Sequence, residues 1–270
     1  MIIGINGKIG SGKDTVGRII QHLIYFDKTQ IQPSLGIDGH IANQILNPSY
    51  LHYELVIIRK TGWEDKKFAG KLKQIASLLT GIPVEAFEDQ EFKKTNLSDE
   101  WSSLQQSGRS KVWAHMTVRE FLQKLGTEAM RDGLHTNVWV NALFADYKAI
   151  VIEPAKFGGT AIGEYPNWII TDMRFPNEME AVEEREGVTI RVVRYPKTVE
   201  VSRGPQDIET ISFDPTNQKH MDLWKGDSSR LHPSETALDD AKFDYEIIND
   251  GSIEDLVEKV REILIKENII

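Results

Sequence analysis

Cysteine is missing from all 270 residues. That absence excludes disulfide staples, thiolate-ligated zinc and thiolate nucleophiles, and it is compatible with a reducing cytoplasm. Long apolar runs are missing as well. None approaches the ~20 residues that cross a bilayer, and the first residues carry no basic segment followed by a signal-type apolar core. A cytoplasmic location with no membrane partner is therefore expected. Positive charge is scarce: 32 Lys+Arg face 41 Asp+Glu, a formal net charge of −9. Coating nucleic acid or an anionic membrane needs an excess of Lys and Arg, so no nucleic-acid partner is expected, whereas a local basic pocket for a small anion is compatible with the total. The seven histidines are scattered, and none shows metal-ligand spacing such as two residues four apart beside a carboxylate. No internal repeat is visible.

The chain opens on Met1 to Asn6, an Ile-rich run suited to a strand buried on both faces. Gly7-Lys8-Ile9-Gly10-Ser11-Gly12-Lys13-Asp14-Thr15 follows. After it, Val16, Ile19, Ile20, Leu23 and Ile24 recur at the spacing of an amphipathic helix. Gly7 and Gly12-Lys13 fit the phosphate-loop pattern of glycine, four residues, Gly-Lys. Glycines let backbone approach phosphate and adopt positive φ. Their amides then gather at the positive end of the next helix, and a lysine reaches the outer phosphates as a mobile point charge. Asp14 stands where Ser or Thr would ligate magnesium, with a hydroxyl one place later at Thr15. Asp14 either holds Mg²⁺ through a water or orients the loop. A plain glycine turn capping a helix is the structural alternative for the whole segment.

Beyond the loop the reading is coarser. Residues 27–62 read as an insertion with short helical pieces, and residues 63–69 as a second strand. Gly70 to Leu79 reads as a helix broken at Gly81-Ile82-Pro83, and residues 88–111 as a polar, exposed, mobile segment. Thr117 and Glu120 form a capping box for a helix that Gly126 ends or kinks, and another helix spans Asn137 to Tyr147. Residues 153–167 read as loop, Trp168 to Thr171 as a buried strand, Glu178 to Glu186 as a helix, and Val188 to Arg194 as a strand. Residues 195–233 hold no clear element and suit a lid; a strand at Tyr245 to Ile248 and a Ser252-capped helix close the chain. Alternating strands and helices imply an α/β fold, a parallel sheet with helices on both faces. In such sheets ligands lie beyond the carboxyl ends of the strands.

That rule points to Asp172 and Arg174, which follow a strand. A carboxylate there suits magnesium or its water, and Arg174 an anion; the alternative is an Asp-capped turn with a surface ion pair. Arg119 and Gln123, four apart, share one helix face, fit either to grip a base or phosphate or to face solvent. Among the six tryptophans, mostly core candidates, Trp139 fits both core packing and stacking on a base. His232 fits a turn or a ligand contact.

These residues resemble phage-type deoxynucleoside monophosphate kinases of the P-loop nucleoside monophosphate kinase-like group. The matching pieces are Gly10 to Thr15, Phe68 to Lys73, Val118-Arg119 to Leu125-Gly126-Thr127, Trp139-Val140, Asp172-Met173-Arg174 to Met179, and Ile248 to Ser252, in order over most of the chain. The resemblance implies a three-layer P-loop fold across residues 1–270, with an insertion at about 27–62, an acceptor-binding region at about 63–150 and a lid at about 195–233. It implies transfer of the γ-phosphoryl group of ATP, with Mg²⁺, to a deoxynucleoside 5′-monophosphate. Gly10, Ser11, Gly12, Lys13, Asp14 and Thr15 would then belong to the ATP site. Lys73, Lys93, Arg119, Gln123, Gly126, Thr127, Trp139, Asp172, Arg174 and Glu178 would surround the acceptor, with Lys13, Arg119 and Arg174 catalytic and Arg203, Lys219, Lys225 or Arg230 entering from the lid. A phage origin, hence a host cytoplasm, and a homodimer are further implications. A dephospho-coenzyme A kinase-like enzyme and a nucleotide-driven switch are the alternatives; the lack of an apolar strand ending in paired acids speaks against the switch.

Overall fold

The computed structural model describes residues 1–33, 36–46, 51–107, 110–153, 162–204, 207–225 and 233–270. Strand β1, Ile2–Asn6, is almost wholly apolar because it lies in the middle of a sheet. A glycine-rich loop leads to α1, Lys13–Thr29, followed by α2, Gly36–Leu46, and α3, Leu51–Thr61. Then come β2, Trp63–Lys66, and α4, Ala69–Thr80. A hairpin of β3, Ser103–Ser107, and β4, Ser110–Ala114, precedes α5, Val118–Gln123, a π-helix over Lys124–Asp132, and α6, Val138–Phe144. Short strands β5, Ile150–Glu153, and β6, Ile162–Glu164, pair antiparallel. The chain continues through β7, Asn167–Ile170, α7, Pro176–Glu183, and β8, Val188–Val193. A second hairpin, β9, Thr198–Gly204, with β10, Asp207–Ser212, and helix α8, Gln218–Lys225, lead to β11, Tyr245–Ile248, and α9, Ile253–Lys266.

The chain divides into two units, Met1–Lys66 with Ala149–Ile270, and Lys67–Lys148. The first holds a five-stranded sheet of order β11-β8-β1-β7-β2, and every pairing in it is parallel. Alternation along β1 sets the layers. Ile3 and Ile5 join the buried cluster with Val16, Ile20 and Leu23 of α1 and Val257 and Val260 of α9. Gly4 faces the opposite way, where a Cβ would press on Met173 and on Val182 of α7. Helices thus cover both faces, the three-layer α/β arrangement of P-loop NTPases. Helices α2 and α3 belong to this core: Ile41 and Ile57 are buried, and Arg261 of α9 pairs with Asp38 of α2. The expected short helical pieces at 27–62 are therefore three-turn helices packed into the first unit. Among the described residues no helix is long and apolar enough to cross a membrane.

In the second unit Ala76, Phe87, Leu97, Val118 and Phe121 form a core, with Phe92 and Trp101 packed on it. The capping box is present: Thr117 Oγ1 accepts from the Glu120 amide, and the Thr117 amide donates to Glu120 Oε2. That bond holds the Glu120 carboxyl below its usual range. Gly126 does not end this helix; the spiral widens there into the π-helix. Most of residues 88–101 are exposed, as expected, but the stretch carries one-turn helices at Phe92–Lys94 and Asp99–Trp101, with Leu97 buried in the core and Phe92 and Trp101 packed against it.

Two more expectations change. Residues 195–225 carry a hairpin and a helix where no element is expected, and 153–167 contribute β6. Residues 154–161 lie outside the described set. Of the tryptophans, 63, 139 and 168 are buried, whereas Trp113 is 65% exposed.

Candidate active site

The loop between β1 and α1 begins at the carboxyl end of the central strand. β7 and β8 lie on either side of β1, so the chain's direction of winding changes there, as it does at ligand crevices of open parallel sheets. Gly10 and Gly12 hold φ of +79° and +97°, the left-handed region that other residues resist. Gly7 is required by space: a Cβ would lie 2.3 Å from Ser11 Oγ and 2.7 Å from the Val192 carbonyl oxygen. The first intrahelical bond of α1 runs from Val16 N to Gly12 O at 2.9 Å. The amides of Lys13, Asp14 and Thr15 precede it, and the glycine at the N-cap has no side chain to cap them. The loop therefore offers amides at the positive end of a 17-residue helix. Lys13 lies close by, mostly buried, its Nζ 3.8 Å from Asp14 Oδ2. Ser11 is buried, and its hydroxyl has no hydrogen-bond partner among the described residues.

Beside the loop opens a cavity of about 920 Å³. Asn6 to Ser11 form one wall, Arg191 to Lys197 another, and Asn249 and Asp250 a third. Phe213 and Trp224 also line it. Tyr195 stacks on Phe213 at 5.3 Å and meets Trp224 edge-on at 5.0 Å. Lys8 Nζ lies 5.1 Å above the Trp224 ring and 3.5 Å from Asp239. Burial, and then the Glu246 carboxylate, push the Tyr195 phenol up, so this ring stays neutral. Among the described residues, segment 195–233 gives the cavity the rings of Tyr195, Phe213 and Trp224 together with Lys197. Lys219 is exposed on α8, Arg203 and Lys225 have no described side chain, and Arg230 and His232 lie outside the described residues.

At the end of β7, Thr171 donates to Asp14 Oδ1 at 3.0 Å, which brings this strand end to the start of α1. Asp172 follows, half-buried. Arg174 pairs with Glu235 at 2.5 Å. Glu178 is buried, and its Oε2 accepts the amides of Arg174 at 2.7 Å and Phe175 at 3.1 Å. Its carboxylate fixes the turn that presents Arg174 and starts α7.

The remaining candidates fall in the second unit. Lys73 is buried and donates to Glu88 at 2.5 Å; Arg119 donates to Gln90 at 3.1 Å. Both therefore reach the turn that carries Lys93, whose amide donates to the Asp89 carbonyl. Gln123 ends α5, and Gly126 and Thr127 lie in the π-helix, an irregularity often found at functional sites. Trp139 is buried and donates its indole N–H to the Gly126 carbonyl at 2.8 Å. Gly126 also lets Leu72 come close: a Cβ would lie 2.9 Å from its Cδ2.

A hard cation bound together with phosphates needs only one or two protein carboxylates. The described residues hold no cluster of three or more His, Asp or Glu that could bind one alone. Asp14, half-exposed with one oxygen fixed by Thr171, fits the smaller requirement.

The sequence reading places Asn249 in a matching piece and Trp224 among core candidates but gives neither a site role, and gives none to Tyr195, Phe213, Lys8 or Glu235. Asn249 and Tyr195 had a usable signal, since each comes just after a strand. The others are brought in from distant positions by the hairpin, α8 and the 233–235 turn.

No family model matches the chain. A protein of Acanthamoeba polyphaga mimivirus named "Putative deoxynucleotide monophosphate kinase" is 24% identical to it over 164 residues, 58% of this chain and 74% of that protein.

Proposed function

We propose that this protein is a deoxynucleoside monophosphate kinase that transfers the γ-phosphoryl group of ATP to a dNMP, giving dNDP and ADP. The observation that carries the proposal is the loop of positive-φ glycines between β1 and α1, with Lys13 at its end and a cavity large enough for a nucleoside beside it. The similarity to the mimiviral protein supports a nucleotide kinase, and hence a phosphotransferase.

Phosphoryl transfer asks little covalent chemistry of a protein; it asks for positioning and charge neutralisation. The loop amides and Lys13 hold the donor phosphates, and the aromatic wall of Tyr195 and Trp224 takes the donor base. Lys73, Lys93 and Arg119 gather around one turn of the second unit and hold the acceptor phosphate; Arg174, in the first unit, is assigned to a phosphate oxygen. Gln123 and Thr127 offer polar contacts to the acceptor nucleoside. Glu178 and Trp139 support this set, the former by fixing the Arg174 turn and the latter by bracing Gly126. An oxygen of the acceptor phosphate attacks the γ-phosphorus, and the bond to the bridging oxygen of ADP breaks. That nucleophile is already ionised near neutral pH, so no strong base is needed. Mg²⁺, when bound, neutralises charge on the donor phosphates, and Asp14 would hold it through a water.

The test is an ADP-release assay against dAMP, dGMP, dCMP, dTMP and their ribo counterparts, with and without Mg²⁺. Mg²⁺-dependent ADP formation with at least one deoxynucleotide is expected. ADP release that needs dephospho-coenzyme A, or that proceeds equally without an acceptor, overturns the proposal.

A further inference from the structure

Asn249 is the residue whose geometry reaches furthest beyond these assignments. It follows β11 and lies at the edge of the loop. Its backbone amide donates to the Val193 carbonyl at the end of β8, 2.7 Å away. Its side-chain Nδ2 donates to the Ser11 carbonyl at 2.8 Å. A carbonyl only accepts, so the atom facing it must be the amide nitrogen. The contact is tight as well as polar: a Cβ on Gly12 would lie 2.5 Å from that nitrogen.

The peptide bond turns this contact into a statement about phosphate binding. In a planar trans peptide the C=O of one residue and the N–H of the next point in opposite directions. Fixing the Ser11 carbonyl toward Asn249 therefore fixes the Gly12 N–H away from it. Gly12 holds φ at +97° and has no side chain, so no Cβ of its own sets the orientation of this peptide, while the flanking Ser11 amide and Gly12 carbonyl are tied to Lys8 and Val16.

We infer that Asn249 is a positioning residue for the phosphate loop: by anchoring the Ser11 carbonyl to the ends of β8 and β11, it holds the Gly12 amide aimed at the β-phosphate of a bound nucleoside di- or triphosphate. The inference rests on the donor role given above to this loop, and it predicts a selective defect. Asn249 acts on the phosphate-binding amide, so its loss weakens nucleotides that carry a β-phosphate and spares those that lack one.

The experiment is calorimetric titration of ADP and of AMP, with Mg²⁺, into the full-length protein and its Asn249→Ala and Asn249→Asp variants. Asn249→Asp is nearly isosteric but places a carboxylate against a carbonyl. ADP affinity is expected to fall about tenfold in Asn249→Ala, the effect of one hydrogen bond, and further in Asn249→Asp, while AMP affinity moves less than twofold in both. ADP affinity unchanged in both variants overturns the inference. So does an equal loss of ADP and AMP, whether through unfolding or through a nucleoside contact. Failure of the wild-type protein to bind ADP refutes the donor role of the loop itself, a separate outcome.

Discussion

Gly10 and Gly12 share a left-handed backbone but differ in their surroundings, and that difference can be measured without any nucleotide. An alanine at either position must adopt positive φ, at a cost of about 1 kcal/mol. At Gly10 nothing lies within 4 Å of the new Cβ, so the backbone term is the whole cost. At Gly12 the Cβ meets Asn249 Nδ2 at 2.5 Å. The amide must swing aside, and its bond to Ser11 is lost, adding about 1 kcal/mol. Gly12→Ala should therefore destabilise by roughly twice as much as Gly10→Ala. In a chain of this size the gap corresponds to a melting difference of about 2–4 °C. The assay is thermal or urea unfolding of the nucleotide-free protein, followed by circular dichroism. A double-mutant cycle sharpens it. With Asn249→Ala in the background the new Cβ has room, and the cost of Gly12→Ala should fall to that of Gly10→Ala. Equal single-mutant costs, or a Gly12→Ala cost indifferent to position 249, would refute the packing argument.

Lys13→Ala should lower turnover by about a hundredfold or more with the far-ultraviolet circular dichroism unchanged; wild-type turnover would remove Lys13 from the mechanism. Glu178→Ala frees the amides of Arg174 and Phe175 and should cost about 1–2 kcal/mol in denaturant unfolding, so an unaltered midpoint contradicts the capping role. His22 of α1 is buried, and burial lowers its pKa from 6.5 to about 4 despite its bond to the Arg18 carbonyl. Below 6.5 the unfolded chain takes up a proton that the folded chain refuses, so stability falls as pH drops from 6.5 toward 4 and is recovered above 6.5. A fall from 6.5 to about 4 corresponds to about 3 kcal/mol. His22→Gln should remove that part of the slope in pH-dependent urea titrations, and an unchanged slope would count against it.

What could be read from the sequence was whatever a few adjacent residues encode. The Ile-rich start, the glycine spacing and the three- to four-residue periodicity after it define β1, the loop and α1 with no information from elsewhere. The boxes at Thr117 and Ser252 are equally local, and both form. The hairpin of β9 and β10 escaped because its pairing is set by contacts across the turn, and its strands mix polar and apolar residues without clean alternation. The π-helix escaped because widening a helix depends on what packs beside it: Trp139 and Leu72 both close on Gly126. Residues 88–111 read as an exposed, elementless segment, and most of 88–101 are exposed; the one-turn helices escaped because the polar majority hides Leu97, a member of the second unit's core, and Phe92 and Trp101, which pack against it.

The site divides along the same line. Its glycine loop is one continuous stretch and was legible; its cavity is assembled from strand ends that only the sheet order brings together. With β8 and β7 flanking β1, and β11 beyond β8, the residues that leave these strands must converge. They are Gly7, Thr171, Arg194 and Asn249. Gly7, Arg194 and Asn249 line the cavity, and Thr171 bonds Asp14. Strand order was thus the missing quantity: given it, the carboxyl-end rule selects Asn249 and the approach to Tyr195 from sequence position alone. Trp224 and Phe213 would still escape, because their place depends on how a hairpin and a helix fold over that edge.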